Sequence, residues 1–288
     1  VPGGIIMEVF GPPGSGKTAV LAELCASAQA KKGDVKFLDP EGRLDQEYCR
    51  IYGMNIPKEN YKRPDTVTEM MDLIYNWKPK SNDNINVIAT DSIAALSTDL
   101  ELGSEDKMGM RRAKEFSQGL RKTCRLIANN NWLIVCSNQL RESTFGEVTP
   151  GGKAVPYYSS LRIRVQEKEP VTLTRKIGSK NREIKKSIGI LSSCFIKKST
   201  VDDPYREAPI YIIFGYGIDD IRGNLQYLKD MVGETTYDCV SKNYARMNDA
   251  IRYIEDNDLQ GELKEKVIDL WEEIEDKFLI NRKSKERR

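Results

Sequence analysis

Eight consecutive residues, Gly11-Pro-Pro-Gly-Ser-Gly-Lys-Thr18, fit the phosphate-loop pattern G-x-x-x-x-G-K-[ST] over their full length. No other feature constrains the fold as tightly, because such a loop works only between a buried strand and the start of a helix. Its glycines let the backbone curl until N–H groups converge on phosphate oxygens, and the helix that follows presents its positive end to the same anion. Gly11, Pro12, Pro13, Gly14, Ser15, Gly16, Lys17, Thr18 and Ala19 are therefore the candidate nucleotide cradle. Lys17 can reach the β- and γ-phosphates, and the Thr18 hydroxyl can ligate Mg²⁺. The competing reading is a Gly-rich turn that fits a loose pattern by chance. Its surroundings argue against that: residues 5–10 read as a buried strand, and residues 19–30 as a helix with Val20, Leu21, Leu24, Cys25 and Ala28 on one side.

The alternation of apolar strands with helical stretches continues through the first half of the chain, the pattern of a parallel sheet covered by helices. Strands are expected at 35–38, 85–90 and 132–136. Thr66 and Glu69 form a capping box for a helix carrying Val67, Met70, Met71 and Ile74. Met110, Ala113, Ser117, Leu120, Cys124 and Ile127 recur at helical spacing. From about 159 the pattern turns strand-rich (161–165, 188–196, 210–214), read as antiparallel additions, and past Gly223 it is helical. There Leu263, Val267, Leu270, Trp271, Ile274 and Phe278 are expected on one face, followed by a basic, disordered tail at 281–288. The expectation is an α/β core over 1–223 and a small helical C-terminal domain over 224–288.

Composition narrows the chemistry. The 288 residues include no histidine, which removes His-based general catalysis and His–metal sites. Six scattered cysteines without a C-x-x-C pair read as reduced thiols in a cytosolic setting rather than a zinc site. No apolar run is long enough to span a membrane, and no signal segment opens the chain. The start at Val1-Pro-Gly-Gly, close upon the first strand, carries the expectation of a segment upstream.

Three polar positions fall at strand ends. Asp91 directly follows 85–90, where P-loop enzymes place the carboxylate that holds Mg²⁺. Glu41 follows 35–38 in Leu38-Asp-Pro-Glu41, where a carboxylate can orient and deprotonate an attacking water; on the residues alone, Asp39 and Glu41 read equally as ordinary loop acids. Asn138-Gln139 ends the fourth strand near the position of a γ-phosphate, so Gln139 either senses that phosphate or satisfies a strand end.

Taken together, Phe37-Leu-Asp-Pro-Glu-Gly-Arg-Leu-Asp45, Asp91-Ser-Ile-Ala-Ala-Leu96, Met108-Gly-Met110, Ser117-Gln-Gly-Leu-Arg-Lys122, Asn138-Gln-Leu-Arg141 and Gly151-Gly-Lys-Ala-Val-Pro-Tyr-Tyr-Ser-Ser-Leu-Arg162 resemble one family in order and spacing. The chain resembles a RecA-type DNA strand-exchange recombinase across about 2–219. The resemblance implies a RecA-like ATPase core, ATP and Mg²⁺ as cofactors, single- and double-stranded DNA as partners, and a homo-oligomeric helical filament with ATP at subunit interfaces. Glu41 becomes the water-activating base, Asp45 and Tyr48 match the adenine-reading positions, Asp91 matches the Mg²⁺-side carboxylate and Gln139 the γ-phosphate sensor. Two loops, about 101–109 and 141–152, are implied to line DNA. Met108 and Phe145 are candidate wedges between bases; Arg111, Arg112, Arg121 and Arg141 are candidate phosphate contacts, and Gly151 and Gly152 offer backbone N–H groups. Arg111 and Arg112 also fit a solvated helix face, and Phe145 a loop-packing residue.

Lys197 and Lys198 lie where bacterial members place lysines that reach the neighbouring subunit's ATP, and one of the pair is implied to do so. A further basic run, Arg175, Lys176, Lys180, Arg182, Lys185 and Lys186, reads as a solvated hairpin whose charge would also suit a phosphate backbone. The sequence departs from the bacterial pattern in Pro12-Pro13-Gly14 of the P-loop, in a basic rather than acidic tail, and in a shorter second loop. Subunits of the family dock through an N-terminal helix and strand that would precede Val1. The absent histidine and the shortened second loop suit a divergent, phage-like member, and the expected setting is cytoplasmic. The alternative of another class is a RecA-fold hexameric helicase or a paralogue that regulates filaments.

Overall fold

The computed structural model describes residues 1–98, 108–143, 146–178, 181–280 and 282. The chain divides into two compact units, Val1–Ile218 and Asp219–Arg288. The first unit is built in the order β1 (Ile5–Gly11), α1 (Lys17–Ala30), β2 (Val35–Leu38), α2 (Gln46–Ile51), β3 (Tyr61–Lys62), α3 (Val67–Tyr75) and β4 (Val87–Thr90). A 3₁₀ turn at Ile93–Ala95 precedes α4 (Met108–Asn129), β5 (Leu133–Gln139), the short strands β6 (Arg141–Ser143) and β7 (Gly146–Val148), and α5 (Ala154–Tyr158). β8 (Leu161–Ile177), β9 (Arg182–Ser199), β10 (Glu207–Ile213) and β11 (Gly217–Ile218) complete it.

One nine-stranded sheet runs β11-β10-β9-β8-β1-β5-β4-β2-β3. From β8 to β3 every neighbouring pair is parallel; β9, β10 and β11 then join antiparallel. The strand-rich segment is thus antiparallel only from β9 onward, and β8 enters as a sixth parallel strand against β1, with Glu8 opposite Arg162. Its pairing partner lies about 150 residues away in sequence, which local periodicity does not report.

Alternate side chains of the central strands feed two cores. On one face Met7, Val9, Phe37, Ala89 and Val135 pack against Leu21, Ala22 and Cys25 of α1. On the other, Ile6, Leu38, Ile88 and Ile134 pack against Val67, Met70, Met71 and Ile74 of α3 and Phe116, Leu120 and Ile127 of α4. In α1 the buried side is Ala19, Leu21, Ala22, Cys25 and Ala28, with Val20 and Leu24 only flanking it. In α4 the buried stripe runs through Phe116, Leu120, Thr123 and Ile127; Leu120 and Ile127 lie on the expected line, while Phe116 and Thr123 take the places expected for Ser117 and Cys124. The cap of α3 forms as expected, Thr66 Oγ1 accepting from Glu69 N at 3.2 Å, while the Glu69 carboxylate accepts from Asp65 N at 2.8 Å.

The 175–186 run forms the exposed end of the β8–β9 ribbon, where Thr174 faces Lys185 and Lys176 faces Glu183. Lys180 lies outside the described residues.

The second unit comprises α6 (Asp220–Val232), β12 (Tyr237–Asp238), β13 (Asn243–Tyr244), α7 (Met247–Asp256) and α8 (Gln260–Phe278). Ile221, Leu225, Leu228, Cys239, Ala250, Ile254 and Leu263 form its core. The expected face of α8 is buried only at its start: Leu263 is inside and Val267 and Leu270 pack against it, but Trp271 and Phe278 are exposed. Of the tail, only Arg282 is among the described residues.

Phe116 ties the fold to the loop edge, because it is 1% exposed and lies under Gly151. Replacing it with alanine (Phe116→Ala) is expected to cost about 3–5 kcal/mol in urea unfolding; a loss under about 1 kcal/mol would show that α4 is not anchored there.

Candidate functional site

All six parallel strands point their carboxyl ends to one edge of the sheet, where a ligand-binding crevice is expected in α/β folds. β1 runs into the P-loop, whose Gly16 adopts φ +96°, a left-handed conformation open to glycine, and caps α1. Lys17 Nζ donates to the carbonyls of Gly11 at 3.0 Å and Pro12 at 2.7 Å, so its ammonium lies within the loop. Burial pulls its pKa down, opposed by the charges of Asp91 and Glu41. Ser15 Oγ is buried in the loop with no hydrogen-bond partner. A loop of free amides, a buried cation and an orphaned hydroxyl fit an anionic group of phosphate size.

β4 delivers the carboxylate. Asp91 Oδ2 accepts from Thr18 Oγ1 at 2.7 Å and Oδ1 from Ser137 Oγ at 2.5 Å, joining β4, α1 and β5. Ser137 is itself oriented by the Ser92 N–H at 2.7 Å. Burial raises the Asp91 pKa; the Ser137 and Thr18 hydroxyls oppose that shift and the charges of Asp39 and Glu41 add to it. A hydroxyl and a carboxylate with all-oxygen chemistry suit Mg²⁺, which would supply charge neutralisation at the phosphates.

The loop after β2 gives its two acids different tasks. Asp39 is 2% exposed, and its oxygens accept from Gly42 N at 2.9 Å, Leu44 N at 2.9 Å and Tyr61 Oη at 2.7 Å. Arg63 Nε backs the Tyr61 hydroxyl at 2.9 Å. Asp39 is therefore committed to folding its own loop. That fold presents Glu41 to the crevice, where Oε1 accepts from Gln139 Nε2 at 3.4 Å and Oε2 pairs with Arg43 Nη1 at 2.9 Å. Asp45 caps α2, accepting from Tyr48 N at 2.6 Å, and the half-buried Tyr48 ring stands 5.0 Å from that of Tyr52.

These groups line one cavity of about 310 Å³: Pro13, Gly14, Lys17 and Thr18 on one side, Glu41, Arg43, Asp45 and Tyr48 on another, Asp91, Ser137 and Gln139 at the strand ends. Larger clefts of about 410 and 570 Å³ run beside α3 and between α3 and α4, but neither contains a phosphate loop.

Beneath the crevice lies a network that sequence reading missed. Glu8, fully buried in β1, pairs with Arg162 of β8 at 2.5 Å and accepts from Asn138 Nδ2 at 2.8 Å. The same amide donates to the Pro150 carbonyl at 3.0 Å, and the Arg162 guanidinium sits 4.5 Å above the Phe10 ring. One acid in the otherwise apolar run Ile5-Ile-Met-Glu-Val-Phe10 was the available signal. Asn138 thereby joins the residue beside Gln139 to the turn at Gly151 and Gly152, which have φ +91° and +63°.

The DNA-directed candidates divide. Arg111 and Arg121 are exposed on α4, about 15 Å apart along the helix axis. Arg112 turns inward, donating to Ala94 O at 3.3 Å. Gly152 is exposed and Gly151 is buried against Phe116 and Val155. Met108 opens α4, and Arg141 pairs with Val148 where β6 meets β7 within the second loop. Phe145 and most of the first loop, 101–107, lie outside the described residues. Of the two lysines, Lys197 is exposed, whereas Lys198 Nζ donates to Pro156 O at 2.9 Å and Tyr157 O at 3.0 Å. Burial and then the Arg162 charge lower the Lys198 pKa.

Comparison with known proteins follows this geometry. Residues 1–219 match the family described as the RecA N-terminal domain. Curated relatives include Protein RecA of Phytoplasma mali, 35% identical over 228 residues that cover 76% of this chain and 64% of that protein. Protein RecA of Acholeplasma laidlawii is 36% identical over 225 residues, covering 75% and 64%. Protein RecA of Thermus thermophilus is 31% identical over 229 residues, covering 77% and 64%. The chain thus spans about 64% of the length of these relatives. Among the described residues no helix is long and apolar enough to cross a membrane.

The raised pKa of Asp91 has a sign. Its proton is held more tightly in the folded protein than in the unfolded chain, so ionised Asp91 subtracts stability once pH rises through both values. That cost is absent at acid pH. Asp91→Asn is expected to raise Tm at pH 7 without nucleotide, to leave Tm near wild type at low pH, and to abolish Mg²⁺-dependent nucleotide binding. A lower Tm at pH 7 would show that the two hydroxyl bonds outweigh the burial.

Proposed function

Because this chain belongs to the RecA family, we propose that it is a DNA-dependent ATPase that coats single-stranded DNA as a helical filament and promotes homologous pairing and strand exchange. The observation that carries this reading is a single crevice that gathers Lys17, the Thr18–Asp91 pair and the Glu41–Gln139 pair, with the Gly151 turn hung from the same strand end through Asn138.

In this reading the P-loop amides and Lys17 hold the β- and γ-phosphates. Thr18 and Asp91 hold Mg²⁺, which supplies charge neutralisation when bound. Glu41 takes a proton from water as its oxygen bonds to the γ-phosphorus and the bond to the ADP oxygen breaks, giving ADP and phosphate. Gln139 contacts the γ-phosphate. Its displacement passes through Asn138 to the Pro150 carbonyl and alters the Gly151–Gly152 turn, which is how nucleotide state reaches DNA. Arg111, Arg121 and the exposed Gly152 amide supply phosphate contacts that are blind to sequence, so base pairing between strands supplies specificity. Arg112 would first have to release the Ala94 carbonyl. For a neighbour's nucleotide Lys197 is free to reach outward, whereas Lys198 would have to give up two carbonyls. Double-stranded DNA is the second partner, and the cytoplasm is the setting.

The test is the ATPase rate with and without single-stranded DNA at low and moderate salt. Stimulation that weakens with salt is expected, and its absence at both salts would reject the reading. Glu41→Gln is expected to keep ATP binding while slowing turnover by about 10²–10⁴-fold; unchanged turnover would remove Glu41 as the base.

A further inference from the structure

Arg43 lies within the Phe37–Asp45 run without a role assigned to it there, yet it lines the crevice and its guanidinium pairs with Glu41. Among the described residues lining that cavity the cations are Lys17 and Arg43, set against Asp39, Glu41, Asp45 and Asp91. Asp39 is spent on the amides of its own loop and on Tyr61. Lys17 sits deep within the P-loop, at the Gly11 and Pro12 carbonyls. Arg43 stands on the opposite wall, 2.9 Å from the Glu41 carboxylate whose other oxygen meets Gln139. Its tip is therefore at the Glu41–Gln139 end of the crevice and not at the Asp45–Tyr48 end.

We propose that Arg43 is a phosphate-binding residue for the terminal phosphate of a bound nucleoside triphosphate, exchanging its ion pair with Glu41 for the phosphate oxygens. The proposal rests on reading the crevice as a nucleotide site. Three properties support it. The Arg43 side chain is 81% exposed, and an exposed pair of this kind is weak and readily exchanged. A guanidinium binds a phosphate through two parallel hydrogen bonds and meets more charge there than on one carboxylate. The loop that carries it is pinned at its base by Asp39, Tyr61 and Arg63, so Arg43 has little distance to search.

The exchange has a consequence for Glu41. While Arg43 holds Oε2, the guanidinium engages that oxygen and makes the carboxylate a weaker acceptor toward water. Transfer of the guanidinium to a terminal phosphate relieves that, so a ligand that carries that phosphate strengthens the base. A diphosphate offers no such group and leaves the ion pair in place. Arg43 thereby ties the readiness of the base to the presence of substrate.

The experiment is equilibrium binding of ATPγS and of ADP, each with Mg²⁺, to wild type, Arg43→Ala and Arg43→Lys. Arg43→Ala is expected to weaken ATPγS binding about tenfold, as befits one charge-assisted contact, and to leave ADP within about twofold. Arg43→Lys, which keeps the charge and loses the fork, is expected to fall between. Equal weakening of both nucleotides would place Arg43 on a part they share and overturn the proposal, as would unchanged binding of both. Wild-type protein that binds neither nucleotide would overturn the crevice reading and the Arg43 assignment with it. Thermal melts of the variants without nucleotide are expected to match wild type; a fall in Tm together with loss of both ligands would assign Arg43 a structural role instead.

Discussion

The parallel insertion of β1 between β5 and β8 is the constraint on which the rest depends. That placement puts the P-loop beside the strand ending in Asn138-Gln139 on one side and β8 on the other. It also buries Glu8, which would be costly if left unpaired. Arg162 from one neighbour and Asn138 from the other satisfy it, so the charge network and the strand order specify one another. A slip of one residue in β1 would send Glu8 to the opposite core, among Leu21, Cys25 and Val135, where nothing can pair with it. Register is thus fixed by a polar contact as well as by packing, and it is the same contact that reaches Pro150.

Electrostatics at the crevice points toward a ligand carrying both signs. Burial disfavours the charged form of Lys17 and of Asp91 alike; the charges of Asp91 and Glu41 partly relieve the first, and the Ser137 and Thr18 hydroxyls partly relieve the second. A protein selected only for stability would replace such groups; retaining both is the stability–function trade seen at sites that wait for an ion pair. A magnesium–triphosphate complex supplies an anion to the first and a cation to the second. Around this centre the Asp39–Tyr61–Arg63 chain acts on geometry alone, holding the loop from which Glu41 and Arg43 project.

Much of this was legible in the sequence where the signal is local. The P-loop, the strand leading to Asp91 and the cap at Thr66 each follow from a few adjacent residues. What escaped depends on distant pairing. The parallel entry of β8 needs Arg162 beside Glu8, and no periodicity in either segment announces it. The family resemblance had already picked Glu41 as the base; what Asp39 does instead shows only in the hydrogen bonds from Gly42, Leu44 and Tyr61, because two acids in one loop are chemically alike until the loop has a shape. The stripe of α4 was right at Leu120 and Ile127 and one residue off at Ser117 and Cys124, because Phe116, the largest buried side chain of that helix, was left out of the pattern. In α8 the apolar spacing continued to Phe278, but only its first turns have a core to meet. Arg43 lay within a motif but carried no role in it; its place at the crevice is visible only in three dimensions.

The central claim is that one crevice both binds ATP and sets the grip on DNA through Gln139, Asn138 and the Gly151 turn. Its most direct measurement is the affinity for a fluorescent single-stranded oligonucleotide at one fixed salt concentration, with Mg²⁺ and either ATPγS or ADP. The account predicts tighter binding with ATPγS, and loss of the difference when Asn138→Ala cuts the link to Pro150 while nucleotide affinity is kept. Equal DNA affinity with the two nucleotides in the wild-type protein would contradict it.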